Sequence, residues 1–219
     1  HASMPIGAYS EKQIMPEEKL VSVPDGVSDE VASCITLKGI TAEYLLHRAY
    51  PLKKGDKVLY HAAAGALGQI LCPWANALGA EVIGTVGSKA KEEIAKKNGC
   101  HHVINYSEKD FVKEVEKIFG KNSLDVVYDG VGSKTFKGSI ETLKIRGMMV
   151  AFGNASGYVE TLDIKKDINA KGLFFTRPSI AHYTVKREEL VESAKKVFDA
   201  VLTKKFKIEI SKRYPLKNA

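Results

Sequence analysis

Cysteine is scarce in this chain. Three occur among 219 residues, Cys34, Cys72 and Cys100; an odd number without a Cys-x-x-Cys spacing supports neither a disulfide framework nor a zinc knuckle, and they read as buried free thiols. Long apolar runs are missing as well. None approaches the roughly 18 residues that span a bilayer, and no basic segment followed by an apolar one opens the chain, so neither membrane insertion nor export is indicated and a cytoplasmic protein is expected. Basic clusters are the third absence. The formal charge is +7, yet the lysines sit beside glutamates, as in KEEIAKK and DFVKEVEKIFGK, the pattern of solvated helix faces. A nucleic-acid partner is therefore not expected, and an anionic small ligand suits the charge better.

What the chain does have is alternation. With 44% hydrophobic and 27% charged residues it can bury an ordinary core. His1-Ala2-Ser3 reads as a tag remnant, and residues 4–35 combine short β-prone pieces with Pro16, Pro24 and Gly26. From residue 37 the spacing predicts helices at 41–50, 69–78, 89–97, 110–119 and 135–143. Strands are predicted at 57–61, 81–85, 103–104, 124–128, 148–152 and 173–176. Short apolar strands alternating with amphipathic helices imply an α/β fold, a doubly wound parallel sheet of Rossmann type, whose ligands bind at the carboxyl ends of the strands. Farther on, Leu190, Val191, Ala194, Val197, Phe198, Val201 and Leu202 repeat with the spacing of a one-sided core helix.

After the first predicted strand comes Ala63-Ala64-Gly65-Ala66-Leu67-Gly68, an A-x-G-x-x-G form of the dinucleotide fingerprint. Gly65 lets the backbone approach a pyrophosphate, and Gly68 lets the next helix pack close on the strand. Ala63 replaces the first glycine, which is tolerable only if that position needs no positive φ. A merely structural turn would look the same in isolation. The acid that holds the ribose hydroxyls of NAD is expected about 20 residues on, and Gly87 stands there, followed by Ser88, Lys89, Ala90 and Lys91. A small residue, a hydroxyl, a helix N-terminus and a lysine suit a 2′-phosphate, so the cofactor expected is NADPH. Against this, Lys91 could belong to an exposed helix face. Pro73 falls within the helix that follows the loop and has no functional explanation here.

HAAAGALGQILCPWANALGAEVIGTVGSKAK, VINY, VVYDGVG, RGMMVAFGNASG and TRPS, in this order, resemble the zinc-free quinone oxidoreductases, the zeta-crystallin-like branch of the medium-chain dehydrogenase/reductases. The resemblance runs over nearly the whole chain. It implies a GroES-like catalytic domain around a Rossmann domain, with most of the former outside this chain. Residues 1–36 would be the tag remnant and the last strands of that domain, 37–178 the NADPH-binding domain, and 179–219 a truncated return segment. Carried over position by position, Thr41 faces the nicotinamide side, and Ala66 and Leu67, where the family more often has Gly-Val, meet the pyrophosphate. Gly87, Ser88 and Lys91 form the 2′-phosphate pocket beside Tyr106. Gly130, Phe152, Gly153, Asn154, Ala155, Pro178, Ser179 and Ile180 line the nicotinamide half. For Tyr106 and Phe152 the plainer alternative is a packed strand-end aromatic. In zinc-dependent relatives a ligand stands at the position of Leu37, whose alkyl side chain cannot bind zinc, so no metal is expected.

The activity so implied is hydride transfer from NADPH to a quinone, or to an enone or alkenal, with the protein supplying proximity and a dry pocket. No general acid is evident, and a reduced quinone oxygen can take its proton from water. Other classes fit less well. Tyr50 and Lys54 have the Tyr-x-x-x-Lys spacing of short-chain dehydrogenases but lie upstream of the loop, and a Rossmann methyltransferase would also want an acid after the second strand. A cofactor-binding, dimerising fragment without activity of its own is the non-enzymatic alternative. The last strand, at 173–176, is expected to present an unpaired edge on which a second copy pairs to form a homodimer.

Overall fold

A computed structural model describes residues 7–218; the tag remnant at His1–Ser3 and the first residues of the expected N-terminal segment lie outside the described residues. Six strands, β1 Lys57–His61, β2 Glu81–Val86, β3 His102–Asn105, β4 Leu124–Asp129, β5 Leu143–Ala151 and β6 Phe174–Thr176, form one sheet in the order β3-β2-β1-β4-β5-β6. Every pairing is parallel. A parallel sheet needs cover on both faces, which is why β4, LDVVYD, is buried along its whole length. The chain steps outward from β1 through β2 to β3 and then returns to the far side of β1 for β4, β5 and β6. The strand order therefore reverses at β1, and the crevice opens at the carboxyl ends of β1 and β4.

Helices α1 Asp29–Tyr44, α2 Gly68–Ala77, α3 Lys89–Lys97, α4 Phe111–Phe119, α5 Phe136–Thr142, α6 Ile180–Tyr183 and α7 Arg187–Leu202 cover the sheet. One core gathers Ile35, Ile40, Ile70, Leu71, Val197 and Phe198 from α1, α2 and α7, while another packs Val115, Phe136 and Ile140 of α4 and α5 on Leu59, Ile83 and Val127. In α7 the predicted stripe is core at Leu190, Ala194, Val197 and Phe198, whereas Val191 and Leu202 stay exposed. Asp110 caps α4, its carboxylate accepting from the amides of Val112 and Lys113.

Three expectations change. The first helix starts at Asp29 rather than Thr41, because Ser28 caps it by accepting from the Val31 amide at 3.3 Å and Asp29 and Glu30 complement its dipole. It continues into a π turn at Leu45–Ala49, and the boundary expected at 36/37 falls inside it. Residues 7–28 contain no strand, only a 3₁₀ turn at Glu17–Lys19; β-prone pieces need a partner strand to satisfy their main-chain groups, and these have none among the described residues. Cys72 and Cys100 are buried, but Cys34 is exposed on α1.

Helix α2 is seated close on the loop that precedes it. A Cβ at Gly68 would overlap the carbonyl oxygen of Ala63 and stand 2.6 Å from its carbonyl carbon, both main-chain atoms that cannot swing aside. We expect Gly68→Ala to destabilise the chain by about 1–3 kcal/mol, the range of overpacked sites. Urea denaturation reads this directly, and a loss under about 0.5 kcal/mol, the scale of a neutral surface change, would contradict the packing described.

Candidate functional site

The crevice is built from the turns that follow β1 to β6. After β1 the positive φ, 63°, falls on Ala62, and Ala63, at the place of the fingerprint's first glycine, has none. This answers how alanine is accommodated at position 63. The turn is closed by Gly65 donating to the Ala62 carbonyl at 2.9 Å. Among the described residues the amides of Ala66, Leu67 and Gly68 donate no main-chain hydrogen bond, so the N-terminus of α2 offers free donors, the property of an anion site.

At the end of β2, Gly87, Ser88 and Tyr106 come together. The Tyr106 amide donates to the Val86 carbonyl at 3.0 Å, the Ser107 hydroxyl to the Gly87 carbonyl at 2.9 Å, and a Cβ on Gly87 would lie 2.6 Å from the Tyr106 hydroxyl oxygen. Any side chain at position 87 would have to displace the tip of Tyr106. Ser88 is the extended N-cap of α3, with no hydrogen bond from its hydroxyl to the helix. Lys91 follows within the first turn, exposed and without an ion pair among the described residues. Tyr106 is half-exposed rather than packed.

The turns after β4 and β5 are zipped together. The amides of Phe152, Ala155 and Ser156 donate to the carbonyls of Asp129, Gly130 and Val131 at 2.9, 3.2 and 2.7 Å. A Cβ on Gly153 would collide with the Gly130 carbonyl, so Gly130, Phe152, Gly153, Asn154 and Ala155 form one wall. Phe152 stacks on Tyr60, ring centroids 6.3 Å apart, which is in part the packed role. Beyond β6, Pro178 is buried, and Ser179 caps α6, which begins at Ile180. Tyr183 of α6 stacks on Tyr44 of α1 at 4.5 Å, so segment 178–180 lies beside the helix that carries Thr41. The Thr41 hydroxyl donates to the Leu37 carbonyl at 2.8 Å. A cavity of about 460 Å³ opens between the turns, lined among others by Ala62, Tyr106, Lys109, Val131, Lys134 and Ala155. Lys109 and Lys134 carry no motif, and sequence reasoning passed over them.

Sequence reasoning also missed a buried polar chain beneath this floor. His61, at the end of β1, lies 2.9 Å from the Thr85 hydroxyl through Nδ1 and 2.9 Å from the Ser139 hydroxyl through Nε2. Ser139 reaches Asp129 Oδ2 at 3.0 Å, and Asp129 also accepts from the Thr135 hydroxyl and from the amides of Val131 and Gly132. The Ser139 hydroxyl also lies 2.9 Å from the Thr135 carbonyl, so its one proton serves that carbonyl and Asp129 between them, and the tautomer of His61 sets which of its two bonds it donates. His61 Nε2 is 4.0 Å from Asp129 Oδ2, but burial pushes the imidazole pKa down, so the pair is a neutral histidine linked through a hydroxyl rather than an ion pair. The visible signal was an aspartate ending an apolar strand just before Gly-Val-Gly, a position that invites capping of the turn.

A doubly wound sheet with a glycine-kinked turn into a helix at its switch point defines a Rossmann-type domain. Residues 66–202 match the family described as zinc-binding dehydrogenase. The chain is 46% identical over 218 residues to a 2-haloacrylate reductase from Burkholderia sp, covering 98% of this chain and 66% of the relative. It is 41% identical to quinone oxidoreductase 1 of Escherichia coli strain K12, covering 100% and 68%. Among solved structures, that of a 2-haloacrylate reductase superposes with a TM-score of 0.95 at 44% identity, covering 99% of this chain and 68% of that one. The E. coli quinone oxidoreductase complexed with NADPH gives 0.94 at 41%, covering 99% and 67%. The chain belongs to the medium-chain dehydrogenase/reductases, in the quinone oxidoreductase branch. It spans about two thirds of the length of these relatives. The family description mentions zinc, whereas Leu37 occupies the position where the sequence anticipated a ligand in zinc-dependent members. Among the described residues no helix is long and apolar enough to cross a membrane.

Buried His61 and half-buried His47 make stability depend on pH. Burial lowers the pKa of His61, and also of His47, below the ordinary 6.5, so the unfolded chain takes up protons that the folded chain refuses. Their contribution is present in full above the unfolded value and is lost as pH falls through the folded value. We expect the melting temperature to drop between about pH 7 and about pH 5.5, above the range where carboxylates titrate. The double variant His47→Gln/His61→Gln should flatten that slope, and an equally steep variant would assign it elsewhere.

Proposed function

We propose that this chain carries the cofactor-binding part of an NADPH-dependent quinone oxidoreductase that uses no metal. The observation that carries the reading is the end of β2, where Gly87 rather than an acid follows the strand beneath the Tyr106 hydroxyl, and Ser88 and Lys91 are uncommitted among the described residues. A hydroxyl, a helix N-terminus and a lysine at this place fit the group. The free amides of Ala66, Leu67 and Gly68 would hold the pyrophosphate, with Gly65 leaving room for it. Tyr106, Ser88 and Lys91 would hold the 2′-phosphate, and the cavity between Tyr106 and Val131 would take the adenosine. Thr41, Gly130, Phe152, Gly153, Asn154, Ala155, Pro178, Ser179 and Ile180 would line the nicotinamide half.

When bound, NADPH supplies the hydride; the residues of this chain supply position and exclude water. No side chain in the cleft is arranged as a general acid, and a quinone oxygen can be protonated by water. The likeness to a 2-haloacrylate reductase at 46% identity supports a second reading, reduction of an activated alkene such as an enone or alkenal. The non-enzymatic alternative is a cofactor-binding and dimerising piece: residues 37–178 are assigned to the cofactor, those on either side to a catalytic domain, and turnover of a soluble quinone by this chain alone is expected to be negligible beside that of a full-length relative. The protein is assigned to the cytoplasm.

NADPH is expected to bind more tightly than NADH. Lys91→Ala should weaken NADPH by about 1–3 kcal/mol, the size of a charge-assisted contact, and leave NADH nearly unchanged. Calorimetry decides this, and equal affinities for the two dinucleotides would refute the reading.

The homodimer is proposed at β6. This strand is the edge of the sheet, and Phe174 and Phe175 are 57% and 38% exposed on it, so a second copy could pair antiparallel and cover both the main chain and the rings. Light scattering at micromolar concentration should give the mass of two chains, falling to one in Phe174→Pro. A monomeric wild-type mass would rule the pairing out.

A further inference from the structure

The cofactor reading gives Asp129 no part, yet Asp129 grips both turns that make the nicotinamide wall. Its side chain, in a residue 1% exposed, accepts from the amides of Val131 and Gly132 at 2.8 and 2.9 Å. Its main-chain carbonyl accepts from Phe152 and Gly153 at 2.9 and 3.3 Å. The first grip fixes the turn after β4; the second, with the bonds from Ala155 and Ser156 to Gly130 and Val131, ties the turn after β5 to the first. The remaining acceptor capacity of the carboxylate is filled by Thr135 and Ser139. Among the described residues no lysine or arginine pairs with it, and His61 Nε2 stands 4.0 Å away. A carboxylate buried without a counter-charge is costly unless donors saturate it, and here the donors are the amides that shape the cleft.

We propose that Asp129 is a positioning residue for dinucleotide binding: its carboxylate, by capping the Val131 and Gly132 amides, holds the 130–132 and 152–156 turns in the arrangement that receives the cofactor. It touches no ligand itself. The proposal rests on the cofactor reading for its consequence but not for its structural content, and the two can fail separately.

Three substitutions separate positioning from plain stability. Asp129→Ala removes the cap, Asp129→Asn keeps one oxygen for the two amides while removing the charge, and Leu143→Ala opens a cavity at the opposite end of the sheet, where Leu143 is fully buried. Amide hydrogen exchange without ligand should be faster at Val131 and Gly132 in Asp129→Ala, relative to the core strands, and near wild type in Asp129→Asn. NADPH affinity, read by calorimetry on the same chain, should fall at least about tenfold in Asp129→Ala, as for a lost charged hydrogen-bond cluster. It should stay within about threefold of wild type in Asp129→Asn and in Leu143→Ala, although Leu143→Ala melts earlier. Unchanged protection at Val131 and Gly132 in Asp129→Ala would overturn the proposal, as would a loss of affinity in Leu143→Ala as large as in Asp129→Ala. Should Asp129→Ala fail to fold, Asp129→Ser, whose single oxygen on a shorter side chain cannot reach both amides, carries the same expectation. A wild-type chain that binds no NADPH would defeat the cofactor reading alone, and the exchange data would still decide the role of Asp129.

Discussion

The contact between Gly68 and the main chain of Ala63 is the constraint from which the cleft follows. Because no Cβ intervenes, α2 begins against the turn that leaves β1, and its first amides point over the carboxyl edge of the sheet instead of into a neighbouring side chain. A helix held one side chain farther away would bring those donors elsewhere and uncover Ile70 and Leu71, which are buried beneath it. Close packing and a free helix N-terminus are thus the same fact at this position. The left-handed conformation that such a turn demands has moved one residue upstream, to Ala62, where it costs on the order of 1 kcal/mol relative to glycine and lies at the edge of the cavity rather than in the core.

The reversal of strand order at β1 then decides which turns can meet. Helices α2 and α3 leave on one face, α4 and α5 on the other, so the turns after β1, β3 and β4 border an opening that no helix fills. Tyr106 reaches it from β3 and Val131 from β4, and Lys109 and Lys134 line it. Asp110 lines it too, and Lys109 is itself paired with Glu114 at 3.6 Å, as many of the surface lysines are matched in helical pairs such as Lys117 with Glu114 and Lys195 with Asp199. Exposed pairs of this kind contribute little to stability. Their effect is to leave the unmatched lysines as the ones that matter to an anion.

Elements with strong periodicity were legible in the sequence: the strands and helices α2 to α5 lie close to their expected places, with β5 starting five residues early at Leu143, because apolar runs bounded by glycine and capping residues admit few alternatives. What was not legible depended on partners distant in sequence. The start of α1 at Ser28 was hidden behind Pro24 and Gly26, which read as turn, although Ser-Asp-Glu is itself a capping signal. The N-terminal pieces read as strands because local propensity for β structure is indifferent to whether a partner strand exists. Gly87 was singled out for a missing acid, and the structure adds a second reason, the hydroxyl of Tyr106, nineteen residues away. The chain from Thr85 to Asp129 could not be read at all, since it links β2, β1, α5 and β4, and each member taken alone is an ordinary polar residue.

That chain also explains where polarity is tolerated inside the sheet. The middles of β1, β2 and β4 are apolar, as at Val58–Leu59, Val82–Ile83 and Val126–Val127, yet near their carboxyl ends Thr85, His61 and Asp129 are all buried and adjacent in the pairing, His61 opposite Thr85. At the amino end Asp125 is buried as well, accepting from the Lys57 amide at 2.7 Å and pairing with Lys144, but only at the carboxyl end do all three neighbouring strands contribute to one linked series. Hydrophobic burial cannot account for this, because apolar residues of similar volume would pack there without the desolvation of a carboxylate. What the polar residues provide is connection: their hydrogen bonds tie β2, β1, α5 and β4 together, so the strand ends and the turns they launch are fixed in one arrangement rather than allowed several. Rigidity is thereby concentrated where the amides must already be aimed before any ligand arrives.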